Sequence, residues 1–275
     1  MFLLASFTRK KSMIKKRLTL IMLFILFNSK ALSYNQEDFE KAKNGDRHLS
    51  YTDLSCANLS YVNLSCTYLS CANLSFTDLS NTDLSYANLG AANLGHSKLE
   101  ASKLEGAQLE YVNAEYANLT NVNAKNANFS NANLYKANLS SSNLYSSQLY
   151  KTDLRETNLN NTNLTAAVLI QADLRNANLT NANLSLTHLK DCKLAGAIVK
   201  NANFAHAKGL NNRQKAYLRE QGALNIPVDI EYEFDDKEIG TDIKYLKLHQ
   251  KFLRPFIRWY RWIKGFDKNS ETQTE

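Results

Sequence analysis

Apolar residues along this chain recur neither at the spacing of a helix nor at that of a strand. From Leu54 to Phe204 they return at every fifth place. Of the 31 positions in that register 26 are Leu, the exceptions being Ala114, Ala124, Phe129, Val199 and Phe204. Two places earlier, from Thr52 to Ala202, every residue is Ala, Ser, Thr, Val or Cys. One place before the Leu, Asn occurs 17 times and Asp five, and no insertion breaks the register.

Five residues advance an α-helix by about 500°, so successive leucines would rotate by about 140° and leave no apolar face. A flat strand fails too, because an odd period on a two-residue alternation sends successive leucines to opposite sides. Within one pentad the small residue and the Leu do share a side. The pattern therefore predicts a chain that bends once per pentad and winds around its own leucines, in very short extended segments whose stacked turns pair their backbone groups. The small position follows from space, since a second large group would overpack a narrow interior.

A small residue, Asn or Asp, then Leu and two variable places, as in CANLS, NANLY and KANLS, resembles the motif of the pentapeptide-repeat family, over residues 52 to 208. The resemblance implies an all-β fold, a right-handed quadrilateral β-helix with four pentads per coil. That is about 7.75 coils and, at ~4.8 Å per coil, a rod roughly 37 Å long. Residues twenty apart should stack. Cys56, Cys66 and Cys71 then fall on three faces of an early coil, beyond disulfide reach of one another, and Cys192, in a small position, should be a core thiol.

A solenoid needs its ends covered. NQEDFEKAKNG predicts an N-terminal cap helix within 34–46, with Asn35 as N-cap and Gly45 as terminator. NNRQKAYLREQG predicts a second, from Asn211 or Asn212 to Gly222, with Tyr217 and Leu218 set to cover the last coil. The expected organisation is a signal segment (1–33), the cap helix (34–46), the repeat (47–208), a C-terminal cap helix with an acidic link (209–240), and a basic aromatic amphipathic helix with a disordered tail (241–275).

Charge changes the picture at the two ends. Seven of the 33 Lys and Arg lie before position 34 with no acid beside them, so the remainder balances 26 bases against 26 acids. The apolar run LTLIMLFILF follows that basic stretch and precedes the small residues of NSKALS, the form of an export signal cleaved after Ala31 or Ser33. Ten apolar residues reach about 15 Å as a helix, roughly half a bilayer core. The expected location is periplasmic or secreted if the segment is removed, and membrane-anchored if it is kept.

At the other end Lys244, Lys247, Lys251, Arg254, Arg258 and Arg261 are spaced to form one stripe of a helix that also carries Trp259 and Trp262. Such a helix suits an anionic membrane surface or a protein partner. It also suits a homodimer built through that helix, and nucleic acid is the least favoured ligand.

No nucleophile–base pair, phosphate loop or metal-ligand spacing stands out from the repeat, so neither catalysis nor a cofactor is expected. Glu100, Glu105, Glu110 and Glu115 would ring one coil with one carboxylate per face, a solvated band rather than a catalytic pair. Some members of the family imitate a DNA duplex and bind DNA gyrase, which requires an acidic rod. Residues 47–207 carry 11 bases and 11 acids. The expectation is an exported, non-enzymatic scaffold or interaction solenoid, with the cytoplasmic gyrase-binding mimic as the alternative.

Overall fold

The computed structural model describes residues 34–228. The repeat is a four-sided coil. Each residue that precedes a core Leu forms a parallel bridge with the residue twenty places on, as in Asp53 with Asn73, Asn73 with Asn93 and Asn93 with Asn113. The extended part of a pentad is this single bridged residue, so the sheet on each side is a stack of one-residue rungs.

The backbone bonds of a pentad form a closed set. Asn73 N–H donates to Thr52 C=O of the turn before, and Leu54 N–H to Asn73 C=O of the turn after. Cys56 N–H reaches Ser75 C=O across the corner, and Ala57 N–H closes the corner itself on Leu54 C=O. The remaining N–H, that of the residue after Leu, is taken by a side chain: Ser55 N–H donates to Asp53 Oδ1 at 3.1 Å, and Tyr135 N–H to Asn133 Oδ1 at 3.1 Å. The prevalence of Asn and Asp before the Leu follows, because a short side chain with an acceptor oxygen can fold back two residues to satisfy that donor. Where amides stack they also bond one another, Asn133 Nδ2 donating to Asn113 Oδ1 at 3.1 Å and Asn113 Nδ2 to Asn93 Oδ1 at 3.2 Å.

Every corner places its second residue at positive φ, from Tyr51 to His206, and all but Gly106 and Gly196 are not glycine. A left-handed residue with a Cβ costs roughly 1–2 kcal/mol. The interlocking bonds above hold it there in turn after turn.

The interior contains the leucines and the small residues. Leu54, Leu74, Leu134 and Leu154 are fully buried, as are Thr77 and Thr152. A buried hydroxyl needs a partner: Thr77 Oγ1 donates to Leu54 C=O at 2.7 Å and Thr152 Oγ1 to Phe129 C=O at 2.8 Å.

Both caps form where expected. α1 (Gln36–Lys43) starts at Asn35, whose side chain accepts from Glu37 and Asp38 N–H, and ends before Gly45 at φ +79. Asp38 Oδ2 accepts from Asp53 N–H at 3.1 Å, standing in for the carbonyl of a missing turn. α2 (Asn212–Glu220) starts with a reciprocal capping box between Asn211 and Gln214. Leu218 is fully buried. Gln214 Nε2 donates to Cys192 C=O at 2.8 Å and Tyr217 Oη to Ala197 C=O at 3.2 Å, two carbonyls that a further turn would have paired.

One feature departs from the expected link. After α2 the chain returns and adds a rung, Leu224 bridging Asn203 and Asn225 Nδ2 bonding Asn203 Oδ1 at 2.8 Å. The 222–226 segment repeats the small–apolar spacing just well enough to be captured by the open edge.

Candidate interaction surface

The coil consumes most of its polar groups, so the side chains left for other work are those of the corners. Because corners stack every twenty residues, they form columns, and one column is unlike the rest. Phe76, His96 and Tyr116 lie ring on ring, with centroids 4.8 and 4.9 Å apart and planes within 2° and 6° of parallel. The spacing is that of the turns themselves, close to the ~4.8 Å between neighbouring strands, so the fold imposes the stack. Tyr135 meets Tyr116 edge-on at 6.0 Å.

Cations continue the column. Lys136 Nζ sits 5.6 Å from the Tyr116 ring centre and 5.0 Å from that of Tyr135, and the Arg155 guanidinium lies 5.2 Å from Tyr135. Tyr135 Oη donates to Glu156 Oε1 at 3.0 Å, and Lys136 pairs with Glu156 at 3.6 Å. The contact with Tyr135, and then the charge of Glu156, push the Lys136 ammonium above its usual range. Arg155 is held in turn by Asp153 through a forked contact at 2.6 and 2.8 Å.

The neighbouring corner column carries Tyr51, Tyr111 and Lys151, and Lys151 Nζ lies 5.1 Å from the Tyr150 ring centre. Between the two columns runs the amide ladder of Asn73, Asn93, Asn113 and Asn133. The rod thus presents one side with aromatic rims and a flat amide floor. Tyr51 is 80%, Tyr111 67% and Phe76 60% exposed, large for aromatic side chains in a folded protein.

The residues singled out from sequence fare unevenly. Lys244, Lys247, Lys251, Arg254, Arg258, Trp259, Arg261 and Trp262 lie outside the described residues, as does the 1–33 segment. The glutamate band falls at successive corners, partly buried rather than fully solvated: Glu100 accepts from Ser80 Oγ at 3.0 Å and from the Asn118 amide, and Glu110 from the Asn128 amide. Cys56, Cys66 and Cys71 are exposed and Cys192 is buried. Among the described residues no group of three His, Cys, Asp or Glu side chains is placed to hold a metal. The aromatic column was not among the residues singled out, although the expected stacking of residues twenty apart contains the signal. Writing the repeat in rows of twenty would have put Phe76, His96 and Tyr116 in one file.

Twenty-residue turns, a leucine interior and amide-capped corners define a β-solenoid of five-residue repeats. A family model described as pentapeptide repeats matches residues 48–85, 87–123, 115–147, 125–161 and 147–185, and the chain belongs to that family. Its members fold as right-handed quadrilateral β-helices.

Among solved structures, the chain is similar to HetL, a pentapeptide repeat protein involved in heterocyst differentiation regulation in the cyanobacterium Nostoc sp. The identity is 25%, over 64% of this chain and 98% of that one, with a TM-score of 0.30. It is similar also to a pentapeptide repeat protein of the Arabidopsis thaliana thylakoid lumen (23%; 44% and 81% covered; TM-score 0.32). A third is trypsin-treated QnrB1, a plasmid-mediated fluoroquinolone resistance protein (19%; 63% and 87% covered; TM-score 0.34). No curated protein matches.

Proposed function

We propose that this protein is an exported, non-enzymatic interaction scaffold. The rod is a rigid spacer whose aromatic side receives a protein partner, and the basic aromatic segment 241–266 contacts an anionic membrane surface. The observation that supports this most is the division of labour in each pentad. Leu, the small residue and the Asn or Asp are consumed by the coil, and four exposed aromatic groups, Tyr51, Phe76, Tyr111 and Tyr116, border one side, while Tyr61, Tyr68, Tyr86 and Tyr145 are exposed elsewhere. Exposed rings beside cations are the composition of protein contacts.

Charge argues against the gyrase alternative. A duplex mimic needs acid along its whole length, and residues 116–220 carry twelve Lys and Arg against five Asp and Glu.

Two measurements test the proposal. Flotation of the full chain with phosphatidylglycerol vesicles should retain it, and deletion of 241–275 should release it; equal binding by both sinks the membrane role. Sequencing of the mature N-terminus from an exported fraction should begin near Leu32 or Tyr34. An intact leader in the cytoplasm overturns export.

A further inference from the structure

The balanced charge of the rod conceals an axial polarity. Residues 34–115 hold eleven Asp and Glu against five Lys and Arg, a net of −6, while residues 116–220 hold twelve Lys and Arg against five Asp and Glu, a net of +7. The aromatic side shows the same split. Its first four rungs, 50–56, 70–76, 90–96 and 110–116, contain Asp53, Glu110 and Glu115 and no Lys or Arg. Its last four, 130–136, 150–156, 170–176 and 190–196, contain six Lys and Arg against four acids.

We propose that the occupant of this side is a second copy of the chain, laid antiparallel. The inference rests on the reading of the aromatic side as a contact surface and names its partner. A two-fold axis between the rungs of Tyr116 and Lys136 sets the two acidic rungs, 50–56 and 110–116, against the two of net positive charge, 190–196 and 130–136, and pairs the four neutral rungs with one another. Glu115 then faces the partner's Lys136, and Asp53 faces the partner's Lys190 and the partner's Lys193. The same operation serves both copies, which is the requirement for a closed, isologous pair. A parallel pair, or one joined through the basic ends, would set like charge against like.

Size is sufficient. Eight rungs at ~4.8 Å span about 38 Å, and a three-residue face with a corner side chain at each edge is roughly 20 Å wide. The product, on the order of 750 Å² per copy, approaches the roughly 800 Å² of a stable interface. The exposed rings of Tyr51, Phe76 and Tyr111 supply the apolar area that charge alone would lack.

The register gives a direct test. Within one chain Cys56 and Lys193 are seven turns apart, about 34 Å; in the antiparallel pair Cys56 meets the partner's Lys193. Treatment of the full-length protein with a short thiol-to-amine cross-linker should yield a covalent dimer joining Cys56 or Cys71 to Lys190 or Lys193. Sedimentation should show a dimer at low salt that weakens at least tenfold by 1 M salt, as the roughly 3 Å screening length there implies.

Glu115→Lys should weaken the dimer about tenfold and Lys136→Glu added to it should restore part of the loss. Tyr111→Ser should weaken it without altering the circular dichroism spectrum. A monomer under all conditions, a dimer cross-linked only through its C-terminal ends, or a dimer indifferent to Tyr111→Ser overturns the proposal. None of these outcomes bears on vesicle binding by 241–266, so the two readings fail separately.

Discussion

Phe129 follows Ala124 by one pentad and occupies the next side of the same turn, and both side chains are buried from solvent. In that turn the register places Ala114, Leu119, Ala124 and Phe129 where most turns have four leucines. The two truncations remove more side-chain volume than Phe129 restores, and Val112 and Val122, buried at the small positions of the same two pentads, supply much of the rest, as a packed interior demands.

Ala124→Leu in the native background should therefore overpack the layer and destabilise by about 1–3 kcal/mol, and Phe129→Leu should reduce that penalty. Phe129→Ala should cost about 3–5 kcal/mol. Urea denaturation of the two singles and the Ala124→Leu/Phe129→Leu double mutant gives the coupling directly. Additive effects would show that the substitutions do not share space.

The left-handed corners make glycine substitutions informative in both directions. Ala91 is exposed at φ +56, so Ala91→Gly should stabilise by roughly 0.5–1 kcal/mol, the relief of the left-handed penalty exceeding the entropy that glycine adds to the unfolded chain. Gly106 at φ +65 behaves oppositely: a Cβ there would meet the Tyr86 ring at 2.6 Å, and Gly106→Ala should destabilise. Thermal melts of the two variants should move apart.

The small-residue position offers a contrast between satisfied and orphaned hydroxyls. Ser147 is fully buried and its Oγ has no hydrogen-bond partner, whereas Thr152 donates to Phe129 C=O. Removing an unpaired buried hydroxyl recovers its desolvation penalty, and removing a paired one does not. Ser147→Ala should be neutral or stabilising by up to about 1 kcal/mol. Thr152→Ala should cost about 1–2 kcal/mol through the lost bond and methyl group. Chemical denaturation of both variants checks the sign of each.

The coil, its period and both caps were legible in the sequence because each is a local rule repeated or punctuated: Leu every fifth place, Asn35 and Asn211 at helix starts, Gly45 at a helix end. The role of the Asn before each Leu was not, since it depends on a bond to a backbone N–H whose orientation the corner sets. The Phe76–His96–Tyr116 column was legible only in part: residues twenty apart are expected to stack, but that rule gives the file and not the parallel ring-on-ring geometry that the corner backbone sets. Charge polarity was hidden by summation, as equal totals say nothing of where along the axis each sign lies.

Cys192 connects packing to pH. It occupies a small-residue position beneath α2, and burial pushes its thiol up to about 12. The folded state thus favours the protonated thiol more than the unfolded state does. By linkage the resulting stability is fully present below the unfolded thiol's pKa, about 8.5, and is lost as pH rises from there toward about 12. Stability followed by denaturation from pH 7 to 10.5 should fall in the wild type and fall less in Cys192→Ala, tyrosine ionisation being common to both. The same burial sets reactivity, since only the thiolate attacks a disulfide reagent and Cys192 is neither ionised nor accessible at pH 8. Native protein prepared under reducing conditions should titrate three thiols, Cys56, Cys66 and Cys71, and a fourth only after denaturant is added. A fourth thiol reacting in the native state at the rate of the others would mean that α2 opens freely over the last turn, and the cap built on Gln214 and Leu218 would not be the stable closure described above.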